Sequence, residues 1–282
     1  MKLTRPAVLL LIPGFLVLTL FLLLPLGNVL LESTKQYIPG GIGGKAGTFT
    51  IANYFELFHP VYLNFLYEMI WMCVISTTAG VAVAFPIGYF VARRKSGRFR
   101  TIAIGFLVGM LFLSVLVRVY SIELAFGPVG LGVWLSRVLG VSTNSTVYTQ
   151  VLVIIGLMHH NVPLSALILV GTIQNVNPRL ADAAQALGAP RWRAHLAITV
   201  PLSVRGVLSA VLINFSIALS AFINPWVLGK GKVLFMSNLI YNRFGEAANY
   251  PSGSAISIQL LLLSLAMIYV ITVLTPTRWG KA

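Results

Sequence analysis

Apolar residues occur along this chain in long runs, and no compact stretch is free of them. A hydrocarbon layer of about 30 Å takes about 20 helical apolar residues to cross. Segments 7–31, 66–92, 101–122, 148–173, 204–224 and 254–275 meet that length. The pattern therefore predicts an all-α integral membrane protein with about six transmembrane helices. The first segment follows Lys2 and Arg5 and stays apolar from Ala7 to Leu26. That is too long for the apolar part of a signal peptide, and no small-residue cleavage site follows at Leu31-Glu32-Ser33, so a retained helix is expected. Segments 32–65, 123–147 and 225–253 are dense in glycine and proline and read as loops. Within the second of them, Leu131 to Leu139 suits a short interfacial helix with Trp134 at headgroup depth.

Composition agrees with this picture, because 57% of the residues are hydrophobic and 9% are charged, far below the quarter or so of a soluble domain. The net charge of +14 could mark a nucleic-acid binder, but its distribution says otherwise. With the amino terminus inside, segments 1–6, 93–100, 174–203 and 276–282 share one side of the membrane. They carry twelve lysines and arginines against a single acid, Asp182, while all five glutamates fall on the other side. The positive-inside rule makes the basic side cytoplasmic and accounts for the charge. The expected division is an N-terminal membrane helix with an outer loop over 1–65, a membrane core over 66–275 and a cytoplasmic tail over 276–282. Cys73, alone of its kind and inside an apolar run, excludes an intramolecular disulfide and reads as packing.

The connection between the fourth and fifth segments exceeds what a turn requires. Asn177-Pro178 is a helix start, and Leu180, Ala183, Ala184 and Leu187 recur on one helical face. Gly188 closes that helix, Pro190 opens a second one over Arg191 to about Thr199, and Pro201 is expected to end it. Two readings stand side by side: an amphipathic pair lying on lipid, helped by Arg191, Trp192 and Arg193, or a docking element for a cytoplasmic partner.

The run Ala181-Asp182-Ala183-Ala184-Gln185-Ala186-Leu187-Gly188-Ala189-Pro190, followed by Thr199-Val200-Pro201-Leu202, resembles the EAA loop of binding-protein-dependent ABC importer permeases. Asp182 stands where that family usually has glutamate, and Val200 where leucine is common. Three further segments resemble, in order, the subfamily typified by spermidine/putrescine permeases. They are Pro86-Ile87-Gly88-Tyr89-Phe90-Val91-Ala92, Leu116-Val117-Arg118-Val119-Tyr120-Ser121 and Ala221-Phe222-Ile223-Asn224-Pro225-Trp226-Val227-Leu228-Gly229. The Arg-x-Tyr segment points to the first of the two permeases such systems often carry.

The resemblance implies a MetI-like type I importer fold in the bacterial inner membrane, forming half of a translocation path that works by alternating access. It implies partners: a cytoplasmic ABC ATPase dimer, a second permease subunit in a heterodimer, and a periplasmic substrate-binding protein. ATP and magnesium would sit on the ATPase, and no cofactor on this chain. Asp182, Ala183, Ala184, Leu187, Gly188, Arg191, Trp192 and Pro201 would couple to the ATPase. The substrate would be a small polar solute of the polyamine-type subfamily.

Chemistry of the chain's own is not legible. The nearest phrase to a phosphate-binding loop, Gly43-Gly44-Lys45-Ala46, has alanine where the hydroxyl is needed. No convergent set of nucleophile, base or metal ligands appears, so the chain reads as neither an enzyme nor a metal protein. His159-His160 lies inside an apolar run, where ionisable groups mark function, but adjacent helical residues diverge by about 100° and do not readily share a metal. Candidate pathway residues are Tyr120, Glu123, His159, Asn161, Phe222 and Asn224. For Glu123, pairing with Arg118 or a solvated helix end is the favoured alternative, and for the Gly105–Gly109 stripe, packing inside the chain. The rival class, a self-contained ion-coupled secondary transporter or channel, would show paired membrane acids or inverted repeats, and neither is seen.

Overall fold

The computed structural model describes residues 5–39, 47–94, 96–190, 193 and 195–274, and those residues are helical with a single isolated bridge pair, Lys35 with Phe49. Helix α1 (Arg5–Leu18) passes through a π-helical turn, Thr19–Leu23, into α2 (Leu24–Ser33). A short α3 (Ala52–Phe55) precedes α4 (Pro60–Arg93), which stays continuous through Pro86. Then come α5 (Gly97–Phe112), α6 (Val115–Phe126), α7 (Leu131–Leu139) and α8 (Thr146–Gln174). The chain ends with α9 (Arg179–Ala186), α10 (Val204–Leu219), α11 (Ile223–Leu228), α12 (Met236–Tyr241) and α13 (Tyr250–Leu274).

Among the described residues, four stretches are long and apolar enough to cross a membrane: Ile12–Ser33, Pro60–Arg93, Thr146–Gln174 and Tyr250–Val273. The bent pair α5 and α6 makes a fifth when taken as one span, and the sixteen-residue α10 is a shorter apolar helix. About six spans are thus present, but two depart from expectation. The helix predicted over 101–122 is broken at Leu113 and Ser114, both in extended backbone, and turns by 93°. The helix predicted over 204–224 ends at Leu219, and Asn224-Pro225 lies inside the separate α11. Among the described residues, nothing lies within 4 Å of a Cβ placed at Gly105 or Gly109, against the expected packing of that stripe inside the chain.

The contacts divide the chain into two compact units. One combines residues 1–64 with 236–263. Its polar knot centres on Glu56, which accepts from Arg243 and, through Oε2 at 2.6 Å, from Ser252. Arg243 also donates to the Tyr62 hydroxyl at 2.7 Å. Asn53 Nδ2 donates to the carbonyls of Ser33 and Lys35, both at 2.9 Å, so the segment expected to be a plain loop is partly ordered.

The other unit combines 65–235 with 264–282 and is organised around α8, which packs against α5, α6, α10 and α11. In lipid, helices gain little from the hydrophobic effect between them, and close packing of small residues with interhelical hydrogen bonds takes its place. Both devices are here. Gly88 of α4 sits against Leu169 and Ala166 of α8, and Gly206 of α10 sits against Thr172. Asn214 Nδ2 of α10 donates to Ser165 Oγ of α8 at 2.5 Å, with both residues fully buried.

A side chain at position 206 would place Cβ within 2.6 Å of Thr172 Cβ. Gly206→Val is therefore expected to destabilise the core by about 1–3 kcal/mol or more, seen as a lower melting temperature in detergent, and Thr172→Ala should recover part of that loss.

Candidate functional site

Helices α6, α8, α10 and α11 enclose a cavity of about 340 Å³. Its wall follows from helical periodicity. Val115, Arg118 and Val119 recur at i, i+3 and i+4 on α6, and Gly156, Leu157, His160 and Asn161 form one face of α8. The link between α10 and α11, from Ser220 to Phe222, and Asn224 of α11 complete it. Gly156 makes room for this closure: a Cβ there would meet Leu228 Cδ1 at 2.6 Å, so the leucine tip would have to shift. Gly80 of α4 similarly admits Asn161, whose Cβ would lie 3.0 Å from a side chain there.

Arg118 dominates the chemistry. It is 6% exposed. Its Nη2 donates to the carbonyls of Leu113 at 2.6 Å and Leu111 at 3.4 Å, and its Nη1 lies 2.8 Å from His160 Nδ1. A helix that stops leaves its last carbonyls without partners, and in an apolar layer water cannot supply them. The guanidinium takes that role at the end of α5 and so stabilises the break. Because arginine only donates, His160 Nδ1 accepts, and the ring proton belongs on Nε2.

No carboxylate opposes this charge among the described residues. Glu123, one helical turn beyond Tyr120, is paired instead with Lys230 at 2.8 Å, which corrects the expected pairing with Arg118. Lys230 adopts a φ of 50°, uncommon for a residue with a side chain, and that turn delivers its ammonium to Glu123. An unopposed guanidinium repels each positive charge held about 8 Å away by about 2 kcal/mol at an effective dielectric of about 20.

Of the candidate pathway residues, Asn161, Phe222 and Asn224 lie in the cavity wall. Asn161 is 1% exposed, and its Nδ2 has no hydrogen-bond partner. Phe222 stacks on Trp226 with centroids 5.4 Å apart. Tyr120, Glu123 and His159 are not among the lining residues. Arg118, His160 and Ser220 are, and the first of them carried a readable signal, a charge inside an apolar run.

At one end of α8 the chain enters α9. Asn177 Oδ1 accepts from the Arg179 amide at 3.0 Å and starts the helix. The helix closes in a Schellman motif: Ala189 N donates to Ala184 O at 3.1 Å, and Gly188 N to Gln185 O at 3.0 Å, with Gly188 at φ +90°. Ala181 faces inward, Asp182, Ala183 and Leu180 are exposed, and Leu187 is 90% exposed. Arg191 and Trp192 lie outside the described residues. Pro201 does not end the second helix: the chain stays helical from His195 through Leu202 and turns at Ser203. Arg93, at the end of α4, donates from Nη1 to the Val176 carbonyl at 2.9 Å and bonds the Tyr89 side chain, fastening the entry to this loop.

Comparison with known sequences defines the class, a membrane transport permease. Residues 84–279 match the family described as the binding-protein-dependent transport system inner membrane component, and the chain belongs to that family. It is 28% identical over 255 residues to the spermidine/putrescine transport system permease protein PotB of Haemophilus influenzae, covering 90% of this chain and 88% of that one. It is 26% identical to PotB of Escherichia coli, covering 90% and 92%. Its fold matches a subunit of a bacterial ABC transporter that imports the acidic polysaccharide alginate, with a TM-score of 0.75 at 15% identity over 97% of this chain and 95% of that one. A second structure of such a transporter, in complex with an alginate pentasaccharide-bound periplasmic protein, matches at 0.75 and 17% over 97% and 94%.

Proposed function

We propose that this chain forms half of the translocation path of an ATP-driven importer, opening alternately to either side, with its amino terminus and the loop 177–201 in the cytoplasm. The energy comes from a separate ABC ATPase dimer, which holds the ATP and magnesium. A second, different permease completes the pore, and a periplasmic binding protein delivers the cargo. The cargo is a small polar solute of the kind served by the polyamine-type subfamily.

One observation carries this reading: α9, which carries an exposed acid in its first turn, ends in a glycine-dependent motif that presents a leucine 90% exposed. A helix built only to turn the chain has no use for that arrangement. Asp182 supplies charge to polar or basic groups of the ATPase, and Ala183, Ala184, Leu187 and Trp192 supply the surface that fills its groove. Gly188 sets the turn out of α9, and Arg191 and Pro201 complete the coupling set.

Co-expression with the proteins encoded beside it tests the assignment. A cytoplasmic ATPase is expected to co-purify, and uptake is expected to require it. Uptake that continues without any ATPase would instead establish an ion-coupled carrier. Arg93→Met tests the fastening at the loop entry: the ATPase should still co-purify, while uptake per ATP hydrolysed falls severalfold, because the loop moves without carrying α4 with it.

A further inference from the structure

The cavity wall is rich in donors, and no acid is among its lining side chains in the described residues. Arg118 brings a fixed positive charge, His160 brings an Nε2 proton, and Asn161, Asn224 and Ser220 bring amide and hydroxyl groups. The arginine by itself does not discriminate among cargoes, since it lies in the segment that resembles spermidine/putrescine-type permeases. What discriminates is the missing counter-charge, because Glu123 is already neutralised by Lys230.

We propose that the cargo passing this half-pore carries an acidic group, a carboxylate or a phosphoryl oxygen, that approaches Arg118, His160 and Asn161, and that it is not a polyamine. This rests on the permease reading above and adds the sign of the cargo's charge. An oxyanion meets attraction at the Arg118 guanidinium and the His160 ring proton where a polycation meets repulsion. Arg118 also stays on its three partners when such a group arrives, since two of its nitrogen-bound hydrogens remain uncommitted after the bonds to Leu111, Leu113 and His160.

The first arm of the test identifies the cargo. The cognate binding protein is purified from its native host and unfolded, and the released solute is identified by mass spectrometry. An organic acid or a phosphoryl compound is expected, and the spectrum tells the two apart; putrescine or spermidine overturns the proposal.

The second arm places a carboxylate in the cavity at Ser220, which is exposed there and bonds only the Ile217 carbonyl. The assembled importer in proteoliposomes receives the binding protein loaded with its native solute. Ser220→Asp is expected to lower uptake at least about tenfold relative to Ser220→Asn. Equal or faster uptake by the aspartate variant overturns the proposal. Size-exclusion profiles confirm assembly, and Asn224→Asp serves if the first variant does not assemble. Failure of an ATPase to co-purify with the wild-type chain would strike the coupling reading alone, and the released solute would still decide the charge.

Discussion

Gly188→Val is expected to abolish ATP-driven uptake while leaving the membrane-embedded helices folded. At φ +90° a β-branched residue is strained by about 1–3 kcal/mol, and among the described residues nothing beyond its chain neighbours lies within 4 Å of a Cβ placed there, so the expected effect is conformational. The strain is relieved by losing the two hydrogen bonds that close α9, and Leu187 then leaves its presented position. Because the penalty is backbone strain and not a clash, Gly188→Asn should retain more activity than Gly188→Ala, and both more than the valine variant. Uptake in proteoliposomes, run beside ATPase co-purification and a melting curve, separates loss of coupling from loss of fold. A valine variant that transports normally would remove the loop from the coupling path.

Arg118→Leu is expected to be the most damaging single change in the core. It strands the carbonyls of Leu111 and Leu113 and the His160 Nδ1 acceptor in an apolar layer. Each buried group left without a partner costs about 1–3 kcal/mol. Little or no folded protein should be recovered, and any that is should show a straightened span in place of the 93° turn, read as a lengthened spin-label distance between positions 102 and 124. Arg118→Lys keeps the charge but cannot fork across two carbonyls and a ring nitrogen, so it should fold poorly as well. Wild-type stability in the leucine variant would mean that water, not the guanidinium, serves those carbonyls.

The sequence reveals elements whose cause is local. Helices α4, α8 and α13 follow from unbroken apolar runs, and α9 from Asn177-Pro178 at its start and Gly188 at its end. It conceals what depends on distant partners. Leu113-Ser114 contains no helix breaker, and the break exists because a side chain four residues after Ser114 reaches back to the freed carbonyls while α8 holds its other edge. Glu123 finds Lys230 more than a hundred positions away, through a turn in which Lys230 and the neighbouring Gly231 are both left-handed. Asn161, Phe222 and Asn224 stood out as polar or aromatic residues in or beside apolar runs, but periodicity alone could not choose between His159 and His160. Only the packing of α6 against α8 decides which of the two rings Arg118 meets.

Helix α8 reaches from the cavity to the threshold of α9, and a helix is stiff against torsion, so it works as an axle. Side-chain tips ride about 5–6 Å from its axis. A twist of about 20° at the Val176 end therefore sweeps the His160 ring through an arc of roughly 2 Å, enough to part a 2.8 Å contact with Arg118. Torque applied at the loop would thus arrive in the cavity as the loosening of one guanidinium, with no relay of intervening side chains required.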